Sequence, residues 1–249
     1  MAFVAAPMTL SLRSGEDRPS LAISGHVVES DVCRIVSALD HLTGENYRCV
    51  SLDLSEVCSI DTAALDCLAE SAHAHSERHL RLSRASGEVQ RHLTHHPIGR
   101  YYHVDEQLPE CDVPGKSWKL DVFSLPSDSI YCREARHRVR QVARDAGLED
   151  HWIGDMLVAV GEAVTNAIKY GHSGREDSTF TVSCLASSDR LSVSVSDNGP
   201  GFVPALAAAG EIDWFAESGR GVQCMYSLAD DVSFSFNGGT TVRLVKNYG

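Results

Sequence analysis

The chain changes character near residue 105, and that break limits its possible folds more than any single motif. The stretch DEQLPECDVPGKS, residues 105–117, holds two prolines, one glycine and four acids with little hydrophobic periodicity, which is the composition of a linker. Nine of the twelve histidines precede it, and all four lysines follow residue 115. We therefore expect two domains, residues 1–105 and 118–249, joined by residues 106–117. With 43% hydrophobic and 22% charged residues, the chain has the material for a core in each.

Charge narrows the possible partners. Through residue 105 there are 9 bases against 14 acids, and beyond it 13 against 20, so the halves carry -5 and -7 of the net -12. Neither half offers the Lys/Arg surface that displaces counterions from DNA or anionic lipid, so a protein or nucleotide partner is expected and direct nucleic-acid binding is not. No apolar run approaches the roughly 18 residues a membrane helix needs. The opening MAFVAAPMTL has no basic residue before its apolar run and is read as a first strand, not a secretory signal, which implies a cytoplasmic protein. Eight scattered cysteines without a CxxC pair read as buried free thiols.

Before the linker, LSLRS and SLAIS alternate as strands, residues 31–42 form an amphipathic helix, and CVSLDLS is a strand leading to an apolar helix, DTAALDCLAESAHAH. The strand HLRLS, a helix over 88–94 and a strand YYHV complete a small α/β layer. After the linker the pattern is a strand WKLDVFSLP, helices over about 129–146 and 149–170, strands over 178–185 and 190–196, a glycine-rich loop, a helix over 221–229, and the closing pair VSFSF and TTVRLV. Helices on a largely antiparallel sheet make an α+β sandwich.

The second long helix carries the first chemical signal. Glu162, Asn166 and Tyr170 recur every four residues on one side, with Thr165 and Lys169 as neighbours. An Asn carbonyl is a hard ligand suited to magnesium, and a Glu one turn away can accept a proton from an attacking hydroxyl. The same spacing also occurs on purely solvated helix faces. In DNGPGF, glycines at alternate positions allow a sharp turn and a close approach to a planar ligand, while Asp197 can accept from an amino group; a hairpin turn reads equally well. SGRGVQ sets Gly219 and Gly221 before a helix whose free N–H groups attract phosphate, and Gly239 with Thr240 opens the last strand.

In order, GEAVTNAIKYGH, DNGPGF, GRGVQCMYSLADDV and GGTTVRL resemble the N box, the two glycine boxes and the closing Gly-Thr of the Bergerat-fold (GHKL) ATPases and kinases, and more narrowly the bacterial anti-sigma factor serine kinases. The resemblance spans about 118–246. It implies ATP and Mg2+ as cofactors, Glu162 as catalytic base, Asn166 as magnesium ligand, Asp197 as adenine acceptor, and Gly199, Gly201, Gly219, Arg220, Gly221 and Thr240 around the nucleotide. It also implies a homodimer. Where the family often has His, this chain has Tyr170. The segment 203–218 corresponds to the lid and contains no Lys or Arg, so magnesium and Arg220 must neutralise the phosphates, and slow turnover is expected.

In the first half, LDLSEVCSIDTAALDCL places Asp61 and Thr62 at a helix start, where either residue serves as an ordinary cap. The spacing also resembles the STAS domain of anti-sigma factor antagonists, over about residues 10–104, and on that resemblance Thr62 is the phosphoacceptor. Ala63 and Ala64 stand where the family commonly has a second hydroxyl and a glycine, which raises helix propensity. His73, His75, His79, His95 and His96 lack a metal-ligand spacing and read as a solvated face.

Two functions follow. One is a partner-switching regulator, a serine/threonine kinase domain fused to a regulatory or acceptor STAS domain, acting on a sigma factor or a separate STAS antagonist. The other is a nucleotide-gated anti-sigma or scaffold protein without useful kinase activity. A sensor histidine kinase is less well supported, because His137 lacks the acidic residue and proline expected beside a phosphoacceptor His.

Overall fold

A computed structural model describes residues 7–14, 19–45, 47, 49–74, 79–83, 85, 87–104, 118–171, 178–199, 220–236 and 239–248. The chain divides into two compact units, Met1–Ser117 and Trp118–Gly249.

The first unit runs β1 (Thr9–Ser14), β2 (Pro19–Val27), α1 (Glu29–Gly44), β3 (Cys49–Ile60), α2 (Thr62–Ala74), β4 (His79–Ser83), α3 (Gly87–His95), a 3-10 turn Pro97–Arg100 and β5 (His103–Val104). Its five strands lie in chain order; β1 and β2 pair antiparallel, and the pairs from β2 to β5 are parallel. Parallel neighbours need crossover helices, and the apolar faces of those helices close the core. Leu21, Ile35, Leu39, Leu52, Leu82 and Ile98 are fully buried there. One expectation changes: β3 does not stop after Leu54 and Ser55 but continues to Ile60, because β2 follows it through two register shifts, with Gly25 at φ +85°. That extension delivers Asp61 and Thr62 directly from the strand to the start of α2.

The second unit runs β6 (Lys119–Pro126), a 3-10 turn Ser129–Tyr131, α4 (Cys132–Asp145), α5 (Asp150–Gly171), β7 (Thr179–Ser187), β8 (Arg190–Asp197), α6 (Arg220–Leu228), β9 (Asp231–Ser235) and β10 (Thr241–Asn247). The sheet order is β6-β7-β8-β10-β9, with every pairing antiparallel. Ile153, Met156, Val160, Ala163, Val164 and Ala167 of α5 are buried against it. Each large aliphatic among them contributes about 1.5–3 kcal/mol of burial. Gly147, at φ +93°, lets α4 end and the chain reverse into α5. β10 inserts between β8 and β9, so the chain's last strand lies beside Asp197.

Among the described residues, no helix is long and apolar enough to cross a membrane. The cysteine expectation is corrected. Of the six thiols described, Cys184 alone is buried, Cys58 is exposed, and the other four are half-buried, because they sit at element ends and helix flanks.

Candidate functional site

The site starts from strand register. Thr241 of β10 pairs with Ser196 of β8, so residues 239 and 240 come alongside Asp197, more than forty positions earlier. The Asp197 amide donates to the Thr240 carbonyl at 2.9 Å. In return Asp197 Oδ1 accepts from the Gly199 amide at 2.8 Å and the Thr240 amide at 3.3 Å. Thr240 thus supports the carboxylate through its backbone N–H. Oδ2 makes no hydrogen bond among the described residues. Burial pushes the Asp197 carboxyl up, while the Gly199 and Thr240 amides pull it down.

Three glycines hold this carboxylate by lacking side chains. A Cβ on Gly239 would fall 1.9 Å from the Asp197 carbonyl oxygen, one on Gly171 would fall 2.5 Å from the Asp197 Cβ, and one on Gly199 would fall 2.6 Å from the Gly171 Cα. The end of α5, the end of β8 and the start of β10 therefore meet at backbone contact. Gly171 was missed by sequence reasoning; the signal was its place directly after the Glu162-Asn166-Tyr170 row.

Further back along α5, Glu162 and Asn166 face the start of α6. A Cβ on Gly221 would lie 2.8 Å from Glu162 Oε2 and 3.7 Å from Asn166 Nδ2, so α6 starts close against this pair, and a side chain here would displace the Glu162 carboxylate. The first N–H groups of α6 have no helical partner, which makes this end a seat for anionic oxygens. Arg220, its first residue, is exposed. Burial first, and then the Glu162 charge, push up the thiol of Cys224 on α6. Nine residue steps of helix lead from Glu162 to Gly171, about 13 Å along α5. A carboxylate with a free acceptor oxygen thus stands at one end, with an Asn-Glu pair and a helix N-terminus at the other. Gly201, Gly219 and the segment 203–218 lie outside the described residues.

In the first unit, Thr62 is the exposed first residue of α2. Asp61 caps the helix, its Oδ1 accepting from the Ala64 amide at 2.6 Å. The solvated-face reading of the histidines is corrected at His96. Its ring is 9% exposed, with Nε2 2.9 Å from Asp66 Oδ1, because the chain turns there into Pro97 and tucks the ring against α2. His73 stacks edge-on with Tyr101; residue 75 lies outside the described residues. No cluster that can hold a metal ion occurs among the described residues.

A family model, the histidine kinase-like ATPase domain, matches residues 125–246, the stretch that holds the Asp197 and Glu162 geometry. Serine-protein kinase RsbW of Listeria monocytogenes serovar 1/2a is 31% identical over 132 residues, 50% of this chain and 84% of that protein. RsbW of Bacillus pumilus is 32% identical over 134 residues, 50% of this chain and 83% of its own length. The chain belongs to the RsbW family. Similar solved structures include the RsbU and RsbW domains of a Mycobacterium tuberculosis protein, with 21% identity over 51% of this chain and 31% of that one, at a TM-score of 0.37. An anti-sigma factor antagonist from Mycobacterium paratuberculosis has 17% identity over 42% of this chain and 92% of that one, at a TM-score of 0.35.

The RsbW-related unit has one further surface feature, on α4 and α5. Arg138 is neutralised by a bidentate contact with Asp121 and lies over the Phe123 ring, and Arg144 pairs with Asp150. Arg133, Arg136, His137 and Arg140 instead line a groove of about 370 Å³ with Leu157 and Val158 at its side. Among the described residues, Arg133 and Arg136 make no ion pair. In an acidic chain this is a concentrated positive surface, and it suits an acidic protein segment with an apolar residue. The periodicity of α4 exposes these residues in sequence, but their lack of carboxylate partners is visible only in the structure.

Proposed function

We propose that the second unit binds Mg-ATP and acts as an RsbW-type serine/threonine kinase in a cytoplasmic partner-switching system, with the first unit as its fused STAS-like regulatory or acceptor module. The observation that carries this reading is that one helix, α5, meets the Asp197 cradle at its end through Gly171 and carries the Glu162-Asn166 pair against the start of α6. Asp197 Oδ2 is free to accept from the amino group of adenine, while the Gly199 and Thr240 amides hold Oδ1; Gly201 is assigned to the same glycine box by resemblance alone. Asn166 would hold the magnesium ion. Arg220 and Gly221 at the start of α6 would meet the phosphates, and the resemblance assigns Gly219 to the same box. When bound, Mg-ATP supplies the phosphoryl group and the cation that offsets its charge. Glu162 takes the proton from the acceptor hydroxyl.

The acceptor is a hydroxyl on a STAS-like protein, either Thr62 of this chain or a separate antagonist. A sigma factor is the other expected partner, and the groove on α4 and α5 supports a protein ligand with acidic character. A homodimer belongs to the same reading and is tested by light scattering. The lid segment without Lys or Arg favours a second reading, a nucleotide-gated binding protein without useful transfer. Labelled ATP and a STAS acceptor separate the two. The kinase reading expects transfer that Glu162→Gln abolishes while ATP binding persists. ATP-dependent retention of a partner without transfer by the unmodified chain supports the second reading.

A further inference from the structure

The segment around Thr62 is held from outside by histidines that the proposed chemistry does not use. His26 of β2 places Nδ1 2.7 Å from Ser59 Oγ. His92 of α3 places Nδ1 3.3 Å from the Ile60 carbonyl oxygen, so its N–H donates. His96 Nδ1 accepts from the Ile98 amide at 3.2 Å, which fixes the tautomer and leaves Nε2–H to donate to Asp66 Oδ1 at 2.9 Å. The main chain is also fixed at Asp61, whose amide donates to the Val27 carbonyl at 3.1 Å. Ser59, Ile60, Asp61 and Asp66 are therefore all tied. Thr62 sits in their midst, exposed, and its hydroxyl makes no hydrogen bond among the described residues.

We infer that His92 and His96 are positioning residues that hold the two flanks of Thr62 so that its hydroxyl is presented, already placed, to a kinase site. The inference rests on the reading of Thr62 as acceptor. Ala63 and Ala64 stiffen the first turn of α2, so the acceptor does not gain reach by flexing, and a misplacement of about 1 Å costs on the order of a hundredfold in rate. His96 has a second effect. Asp66 lies one turn beyond Thr62 on the same helix face, and its carboxylate opposes a phosphate there. Carboxylates gather around Cys67 on the same helix: after burial, Glu29, Glu70, Asp66 and Asp61 all raise its thiol. The Nε2–H of His96 engages one oxygen of Asp66 and so draws that carboxylate towards the ring. In the transfer itself the Thr62 oxygen forms a bond to the terminal phosphorus of a nucleoside triphosphate. The bond from that phosphorus to the bridging oxygen breaks, the hydroxyl proton passes to a carboxylate, and the nucleoside diphosphate leaves.

The test is phosphate incorporation into the full chain with Mg-ATP, followed by intact mass and by the mass of the Thr62 peptide. The unmodified chain is expected to gain phosphate on that peptide. His92→Leu and His96→Leu are expected to lower the maximal rate about 10- to 100-fold with the KM for ATP unchanged, while His92→Asn and His96→Gln, which keep a donor, recover most of it. Phosphate on the unmodified chain with undiminished rates in both Leu variants overturns the positioning role alone. No phosphate on the unmodified chain overturns the acceptor reading and this inference with it. If the Leu variants do not fold, imidazole ¹⁵N spectra of the unmodified chain decide. His92 protonated at Nδ1 and His96 at Nε2 are expected, and the opposite tautomers refute the inference.

Discussion

In the second unit Asp197 is held by absent atoms: three glycines bring backbone so close that the carboxylate has one place to stand. In the first unit the flanks of Thr62 are held by added atoms, the side chains of His92 on α3 and His96 at the following turn reaching to Ile60 and Asp66. Glycine contact is nearly rigid, since relief requires the backbone to move. Histidine tethers yield by rotating a side chain. On the proposed reading, a nucleotide pocket that must fit one ligand closely suits the first device, and an exposed hydroxyl that must meet a separate catalytic site tolerates the second.

The largest expected effect breaks the contrast at its rigid end. Glu162→Gln should lower phosphoryl transfer by on the order of 10² to 10⁴, read with labelled ATP, while leaving the fold intact because the carboxylate is only half-buried. Gly239→Ala places a methyl group in the space of the Asp197 carbonyl and should destabilise the second unit by about 3 kcal/mol or more, measured by denaturant unfolding. Asp197→Asn keeps the shape and removes the charge, so nucleotide affinity should fall about 10- to 100-fold, the scale of a lost charge-assisted hydrogen bond. The flexible end should respond least. Asp61→Ala removes the α2 cap and should lower stability by about 1 kcal/mol.

Acidity sharpens the same comparison. Burial raises the Asp197 carboxyl, opposed by its two amide contacts, so its folded-state value lies above that of an ordinary aspartate. For the free protein the sign follows directly. Stability from this group is complete below the ordinary aspartate range and is lost as pH rises through the folded value. Nucleotide binding runs the other way, because a charged acceptor is needed. Affinity should weaken as pH falls through the Asp197 range, and Asp197→Asn should remove that dependence, as calorimetry across pH will show.

The glycine side of the comparison was largely legible in the sequence. Gly199, Gly221, Asp197, Glu162 and Asn166 stand in short local motifs whose order points to one pocket, and the elements follow from helical and alternating periodicity. Gly171 escaped because a lone glycine at a helix end reads as a terminator. The histidine side was not legible. His92 and His96 meet the Thr62 segment across 30 or more positions through a parallel sheet, and no local pattern encodes such a contact. The unneutralised arginines of α4 were hidden likewise, since only the structure shows that Asp121 and Asp150 pair with Arg138 and Arg144, not with Arg133 or Arg136.

A calorimetric titration of the unmodified chain with ATP in the presence of magnesium, repeated with Asp197→Asn and Glu162→Gln, bears most directly on the proposed pocket. Saturable binding to the unmodified chain, weakened by Asp197→Asn and retained by Glu162→Gln, is the predicted result. No binding to the unmodified chain, or equal binding by the Asp197→Asn variant, would contradict the assignment of Asp197 as the centre of a nucleotide site.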